Sequence, residues 1–507
     1  MENNLNDFSY KKDFECTQVK NEVQIDFTDL KNVLTVNAEA IILSSETVTG
    51  EIRFSGEVCY NVIYIDNDNT TKSVRSFKDF NGKITDESIT TLTKPILEAN
   101  VIDQQWGISG ENQIIAESVV CVKLQGYMTQ SFKELDEKRA ISQKSKINMC
   151  HAFKSGESRI NLEEKFTLKE KPLEILSVNS KLIPKNYQTG SGYIEFDALL
   201  SVWVVYTVQR DEKTEMRSEI LKRDIKEEVE VTDAKKGNMI IASLSIKNCS
   251  IDTKTENNQL TVNIPVDVKY VLFNQTEKEI IVDAFSPEYE TQLTYDTITL
   301  VDKMEKFVLS ERVNGEIEFD ESHTRINRIL STDGGRVSIT NLTVNDGSIK
   351  IDGIVYFNII YQLDDDAGTI MSTVAEIPFS VNLDIPIIQK SDFVDTNINI
   401  TDISCHLRRG RTIDTDIELT INITVTGQKY ESVIKEIQLL SEVPENKDSN
   451  FMIYFGRRGD TLWNICKKLK VSEEKILLQN QNLTFPLDED KTIVIYKRVD
   501  INGKIAN

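Results

Sequence analysis

No run in the 507-residue sequence approaches 18 apolar residues, so no helical segment is expected to cross a bilayer. The opening MENNLNDFSYKKDFEC lacks the basic stretch followed by an apolar one that marks a secretory signal. The protein is therefore expected to be made and kept in the cytosol. Cysteine is sparse. Cys16, Cys59, Cys121, Cys150, Cys249, Cys405 and Cys466 are scattered, with no CxxC pair. This argues against a disulfide framework and against a zinc site, leaving buried free thiols as the expectation. Histidine is rarer still, with only His151, His323 and His406. Cys150 and Cys405 each precede a histidine, but a catalytic cysteine and its base come from separate elements, so neither pair is read as a dyad. There is no GxxxxGK[ST], and no HExxH, GxSxG or SxxK in a plausible context. No catalytic residue, cofactor or metal is expected. Basic residues are also in deficit, 59 Lys and Arg against 81 Asp and Glu, a net charge of -22. Such a surface repels nucleic acid and anionic membrane.

Alternating strands are abundant, and three align without gaps: GEVCYNVIY (56–64), ALLSVWVVY (198–206) and GIVYFNIIY (353–361). Alternate side chains of a strand share a face. One face reads Val58, Tyr60, Val62, Tyr64, then Leu200, Val202, Val204, Tyr206, then Val355, Phe357, Ile359, Tyr361. The other face mixes Glu57, Asn61, Ser201 and Asn358 with apolar residues, as in a strand buried on one side and partly covered on the other. A second alternating strand follows each of these: SVVCVKL from Ser118, LTVNIPVDVKY from Leu260 and IELTINITV from Ile417. Pro265 has no N–H for a ladder, which predicts an edge or a bulge there.

The closing tyrosines lie 142 positions apart (Tyr64 to Tyr206) and then 155 (Tyr206 to Tyr361). The spacing predicts three modules of about 130 residues, each built from two related halves. The expected division is an N-terminal tail 1–20, β modules 21–148, 165–300 and 312–441, a linker 442–450, a small terminal domain 451–498 and a tail 499–507. The polar stretches 149–165 and 301–316 read as linkers between modules. The expected fold is mainly β, antiparallel and sandwich-like. HLRRGR (406–411) reads as a basic loop able to pair with acidic neighbours in the same chain.

From Met452 the pattern changes. MIYFGRRGD reads as strand and turn, and TLWNICKKL as a helix with Leu462, Ile465 and Leu469 on one face. Asp460 or Thr461 can cap its first turn. VSEEKILLQN starts a second helix at Ser472, and TIVIY closes as a strand. Gly459, Asp460, Thr461, Leu462, Trp463 and Ile465, continued by Val471, Ile476, Asn480 and Leu483, resemble the LysM domain in register. That resemblance implies a βααβ fold and a shallow groove for N-acetylglucosamine polymers, with Gly459, Asp460, Thr461, Asn480, Asn482 and Leu483 at the groove. The sequence departs from the pattern at Cys466, usually Ala, at the acidic turn Asp488-Glu489-Asp490, and at Tyr496, usually Pro. These departures count against sugar binding. Residues 451–497 hold eight Lys or Arg and six acids, +2 on an acidic chain, a balance suited to an acidic partner.

Acidic repeated β modules followed by a LysM unit resemble the SPOCS family of sporulation proteins. That resemblance implies a non-enzymatic adaptor in the mother cell, at the forespore surface and basal coat layer. Its partner there would be the coat ATPase SpoIVA, bound chiefly through the LysM unit, with Ile453, Leu462, Trp463 and the Gly459-Asp460-Thr461 turn supporting the contact. The alternative is a peptidoglycan-binding protein acting through the LysM groove.

Overall fold

The computed structural model describes residues 5–133, 135, 139–210, 213–247, 250–443 and 451–496. Cys249, most of the 442–450 linker and the 499–507 tail lie outside the described residues. The chain is mainly β and its sheets are antiparallel.

The first third comprises β1 (Leu5–Lys12), β2 (Thr17–Asp26), β3 (Asn32–Val48), β4 (Glu51–Ile65), β5 (Thr71–Thr85), β6 (Lys94–Gly110) and β7 (Gln113–Lys133). Strands β3-β4-β5 form a meander, while β7 has β6 on one side and β1 and β2 in tandem on the other. The second third comprises β8 (Ile141–Thr167), β9 (Glu174–Thr189), β10 (Tyr193–Arg210), β11 (Lys213–Glu230), β12 (Met239–Ile246), β13 (Asp252–Glu256) and β14 (Gln259–Phe285). Here β9-β10-β11 is the meander, and β14 lies between β8 and the pair β12 and β13. The last third comprises β15 (Tyr289–Glu318), β16 (Ile326–Asn345), β17 (Ser348–Leu363), β18 (Ile370–Asp384), β19 (Phe393–Arg408) and β20 (Thr412–Glu442). Its meander is β16-β17-β18, and β20 lies between β15 and β19.

The three aligned strands are the middle strands β4, β10 and β17. All twelve residues of the apolar face are buried. In each third they pack against the central strand of the second sheet: Val120 and Val122 of β7, Val262 to Val268 of β14, and Leu419 to Val425 of β20. Pro265 faces the gap between the two short partners of β14, since β13 pairs as far as Asn263 and β12 begins at Val266. On its other side Pro265 stays in register with Asn161 of β8.

Several expectations need correction. Residues 149–165 and 301–316 are not linkers but parts of β8 and β15, which pair along β14 and β20. Their exposed polar residues alternate with buried or half-buried ones because only one face of each long strand meets the core. The N-terminal segment is not a tail, since β1 and the start of β2 lie within it. Nor are all the cysteines free thiols: Cys16 and Cys121 are disulfide-bonded. Antiparallel pairing of β2 with β7 brings their Cα atoms to 5.6 Å across a separation of 105 residues, which spacing alone does not reveal. Cys59, Cys150, Cys405 and Cys466 lie outside the disulfide and remain thiols.

The meanders also pack on one another. Each leading strand carries a bulge at the same step, and the extra residue is Leu34, Leu176 or Leu330. A bulge re-aims a side chain, and these leucines meet Ile63, Val205 and Ile360, the eighth residues of the three aligned strands. A second junction joins Ile96, Tyr127, Ala152, Val271, Phe273 and Val301. Tyr127 meets Phe273 edge-on at 4.8 Å, and its hydroxyl lies 3.2 Å from Thr426. The buried pair Lys11–Asp395, at 2.7 Å, ties β1 to β19.

Candidate functional site

The terminal unit comprises β21 (Phe451–Gly456), α1 (Leu462–Leu469), α2 (Glu473–Gln479) and β22 (Lys491–Tyr496). The two strands pair antiparallel, and their inner face, with Tyr454, Ile493 and Ile495, packs on Ile465, Cys466 and Ile476. Leu462, Leu469 and Leu483 are half-buried on the same core.

The Gly-Asp-Thr turn divides its tasks. Gly459 has φ +91°, a conformation that favours glycine, and its N–H donates to the Leu487 carbonyl at 2.8 Å. Asp460 does not cap α1. It accepts from the Arg457 N–H at 3.0 Å and from the Tyr454 hydroxyl at 3.1 Å, and these donors hold its carboxyl below the usual range, the Arg457 N–H most of all. Thr461 is the cap, accepting from the Asn464 N–H at 3.2 Å. Ser472 caps α2 in the same way.

Asn480 is committed to the fold. Its amide donates to the carbonyls of Ile476 and Val494 at 3.0 Å and accepts from the Val494 N–H at 3.2 Å. Asn482 is exposed. The turns that would flank a LysM groove are bridged by Gly459 to Leu487 and by the Arg458 N–H to Asp490 at 2.9 Å.

Trp463 faces inward. Only 7% exposed, it sets its ring edge-on to Phe285 of β14 at 5.3 Å, and its indole N–H donates to Asp283 at 2.8 Å. Lys467 bonds the same carboxylate at 2.6 and 2.9 Å, and Lys470 pairs with Glu290. Burial works to raise the Asp283 carboxyl, but the bonds from Lys467 and Trp463 outweigh it and hold it below the usual range. Sequence reasoning missed Asp283, Phe285 and Glu290 because nothing local marks a strand end as a dock.

The opposite face of the terminal sheet is open. Phe451, Ile453 and Phe455 alternate outward on β21 at 51%, 49% and 75% exposure, and Tyr496 stands across from Phe451. Arg457 and Arg458 follow the strand directly and are exposed. Elsewhere, Arg408 of the HLRRGR loop pairs with Glu316 and Asp414, and Arg411 donates to the carbonyls of Asp320 and His323. Cys150 and Cys405 lie in apolar surroundings that push both thiols up to about 12.

A capped Gly-Asp-Thr turn in a strand-helix-helix-strand unit, carried on an antiparallel β body, defines a LysM-bearing β protein. Residues 457–495 match the LysM domain model, and residues 325–408, from β16 through β19, match the model described as SipL, SPOCS domain. The chain thus carries a SPOCS domain of the SipL type and a C-terminal LysM domain, in a sporulation and spore coat context. Both matched families are binding domains. No curated protein and no solved structure matches the chain. Among the described residues, no helix is long and apolar enough to cross a membrane.

Proposed function

We propose that this chain is a non-enzymatic spore coat morphogenetic adaptor. In this reading it acts on the mother-cell side of the forespore, binds the coat ATPase SpoIVA chiefly through its LysM unit, and anchors the basal coat layer. We also infer that the first two thirds are SPOCS-like modules, because each repeats the meander and flanked central strand of the third that matches the SPOCS model.

The outward face of the LysM sheet carries the proposal. Of the residues assigned to partner binding from sequence, Ile453 is the exposed apolar one, and it lies between Phe451 and Phe455. An exposed apolar row followed in the chain by two exposed arginines suits a protein contact. Trp463 then acts at one remove, by fixing the unit on β14. The alternative, peptidoglycan held by the LysM groove, is disfavoured by the amide bonds that occupy Asn480.

Affinity purification from sporulating cells tests this, using the full chain, a chain ending at Glu442, and Ile453→Glu. SpoIVA should accompany the full chain and be lost from both variants. SpoIVA retained by the truncated chain, or sedimentation of the full chain with purified peptidoglycan in place of SpoIVA capture, would overturn the reading.

A further inference from the structure

The three β units line a half-open cavity of about 260 Å³ between the two junctions where they meet. Its lining repeats by threes. Glu39, Lys181 and Arg336 pair with Cys59, Ser201 and Tyr356, the fourth residues of the three aligned strands. Glu98, Ser243 and Asn397 take matching places on the returning strands β6, β12 and β19, and Glu98 accepts hydrogen bonds from the other two.

Charge in this cavity is only partly compensated: Glu39 acts on Lys181, Glu157 and Asp267 on Lys269, and Asp103 and Glu376 on Arg336, whose guanidinium also lies 4.4 Å over the Tyr356 ring. Lys181 donates to the Gly335 carbonyl at 3.0 Å, and Lys269 to the Ile42 carbonyl at 3.2 Å. Among the described residues neither these lysines nor Arg336 forms an ion pair with a carboxylate. Nε and one terminal nitrogen of Arg336 are buried without a hydrogen-bond partner. Burial pushes all three cations below their ordinary pKa. A partly buried cation with no direct carboxylate partner is costly, and an anion brought among such groups is held by charge-assisted hydrogen bonds. Lys181 and Glu98 are surrounded by neighbours yet retain accessible surface, and both line this cavity. The volume admits a small oxyanion with several waters, each of which takes about 30 Å³ in the liquid.

We propose that this cavity binds a small oxyanion of the phosphate type, held by Lys181, Lys269 and Arg336 and opposed by Glu98 and Glu39. The site is assembled from all three β units, so its occupancy reports their correct packing.

The test is calorimetric titration of the intact chain with inorganic phosphate at constant ionic strength, with Lys269→Met and Glu98→Gln alongside. Saturable binding at one site is expected. Lys269→Met should weaken it at least about tenfold while leaving the thermal midpoint unchanged or higher, because a half-buried ammonium with no direct carboxylate partner is removed. Glu98→Gln should tighten it, so the proposal stays testable even where the lysine variant folds poorly. No saturable binding by the intact chain, or an affinity that neither substitution alters, would overturn it.

Discussion

The β body and the LysM unit are held together by different means. The LysM unit forms its core from residues close in sequence: a capped helix start, a second capped helix and two paired strands. The body is held by contacts between residues hundreds of positions apart, such as Lys11 with Asp395 and Tyr127 with Thr426. A local unit can be recognised from a motif, whereas a long-range body shows only its strands. The join between them is small and mixed: Asp283 and Glu290 receive Trp463, Lys467 and Lys470, and Phe285 meets the Trp463 ring.

The sharpest way to break this contrast is to strike where the body's three parts meet. Val205→Asp puts a charge among Leu34, Ile63, Leu176 and Ile360. It should cost at least about 4 kcal/mol, since no partner there can satisfy a carboxylate. Chemical denaturation should show the body unfolding early while the LysM unit keeps its own transition. A midpoint unchanged from that of the parent chain would refute the junction.

The first unit differs from its siblings in having a broken leading strand. Where β8 and β15 run on, β1 ends opposite Gly126 and β2 begins opposite Val122, with Cys16 at the break. The disulfide supplies there a link that hydrogen bonds supply in the other units. Cys16→Ser should cost about 2–4 kcal/mol and free β1 for hydrogen exchange. Unaltered protection of residues 5–12 would argue against that role.

Asp333 gives a pH signature specific to the body. Burial raises its carboxyl from 3.8 to about 6, although Thr35 donates to it at 2.8 Å and Asn37 also donates. The folded state therefore holds a proton that the unfolded state releases, and stability falls as pH climbs from about 4 to about 6. Both donors reach the same oxygen, so an asparagine carbonyl can replace it. Asp333→Asn should stabilise the chain at pH 7 by up to about 3 kcal/mol and flatten this slope. A pH–stability curve that keeps its slope in the variant would rule out Asp333 as the source.

The smallest effect lies at the join. Trp463→Phe keeps the ring contact with Phe285 but removes the indole donor to Asp283, a loss of about 1 kcal/mol. Limited proteolysis should then cut more readily near residue 443. Because Asp283 titrates below its ordinary value, acid should loosen the same join as pH falls through that lowered pKa. Cleavage rates that match the parent chain would show that the indole bond is not what seats the unit.

Much of this was legible beforehand. Period-two alternation identified the buried faces of β4, β10 and β17, because burial on one side of a strand leaves a trace at every second residue. The LysM motif was legible because Gly459 sets the turn through its own backbone angle and Thr461 caps the helix that follows it. The direction of Trp463 was not legible, because a tryptophan on an amphipathic helix reads alike whether it meets solvent, a partner or a distant strand. The long strands β8 and β15 were misread because their polar faces look like linkers until β14 and β20 are placed beside them. The disulfide was hidden because its halves lie on strands that pair only in the folded chain.

By itself the sequence determined an acidic, mainly β chain, three related buried strands and a terminal βααβ unit. Hydrophobic period and local capping are short-range properties that any neighbour of the right character satisfies. Only the tertiary structure decided that Leu34, Leu176 and Leu330 converge, that cations gather around one cavity, and that Trp463 is used inside the chain. The first two outcomes depend on strand register and bulges, where a shift of one residue turns a side chain to the other face, and the third on which side of α1 meets the end of β14.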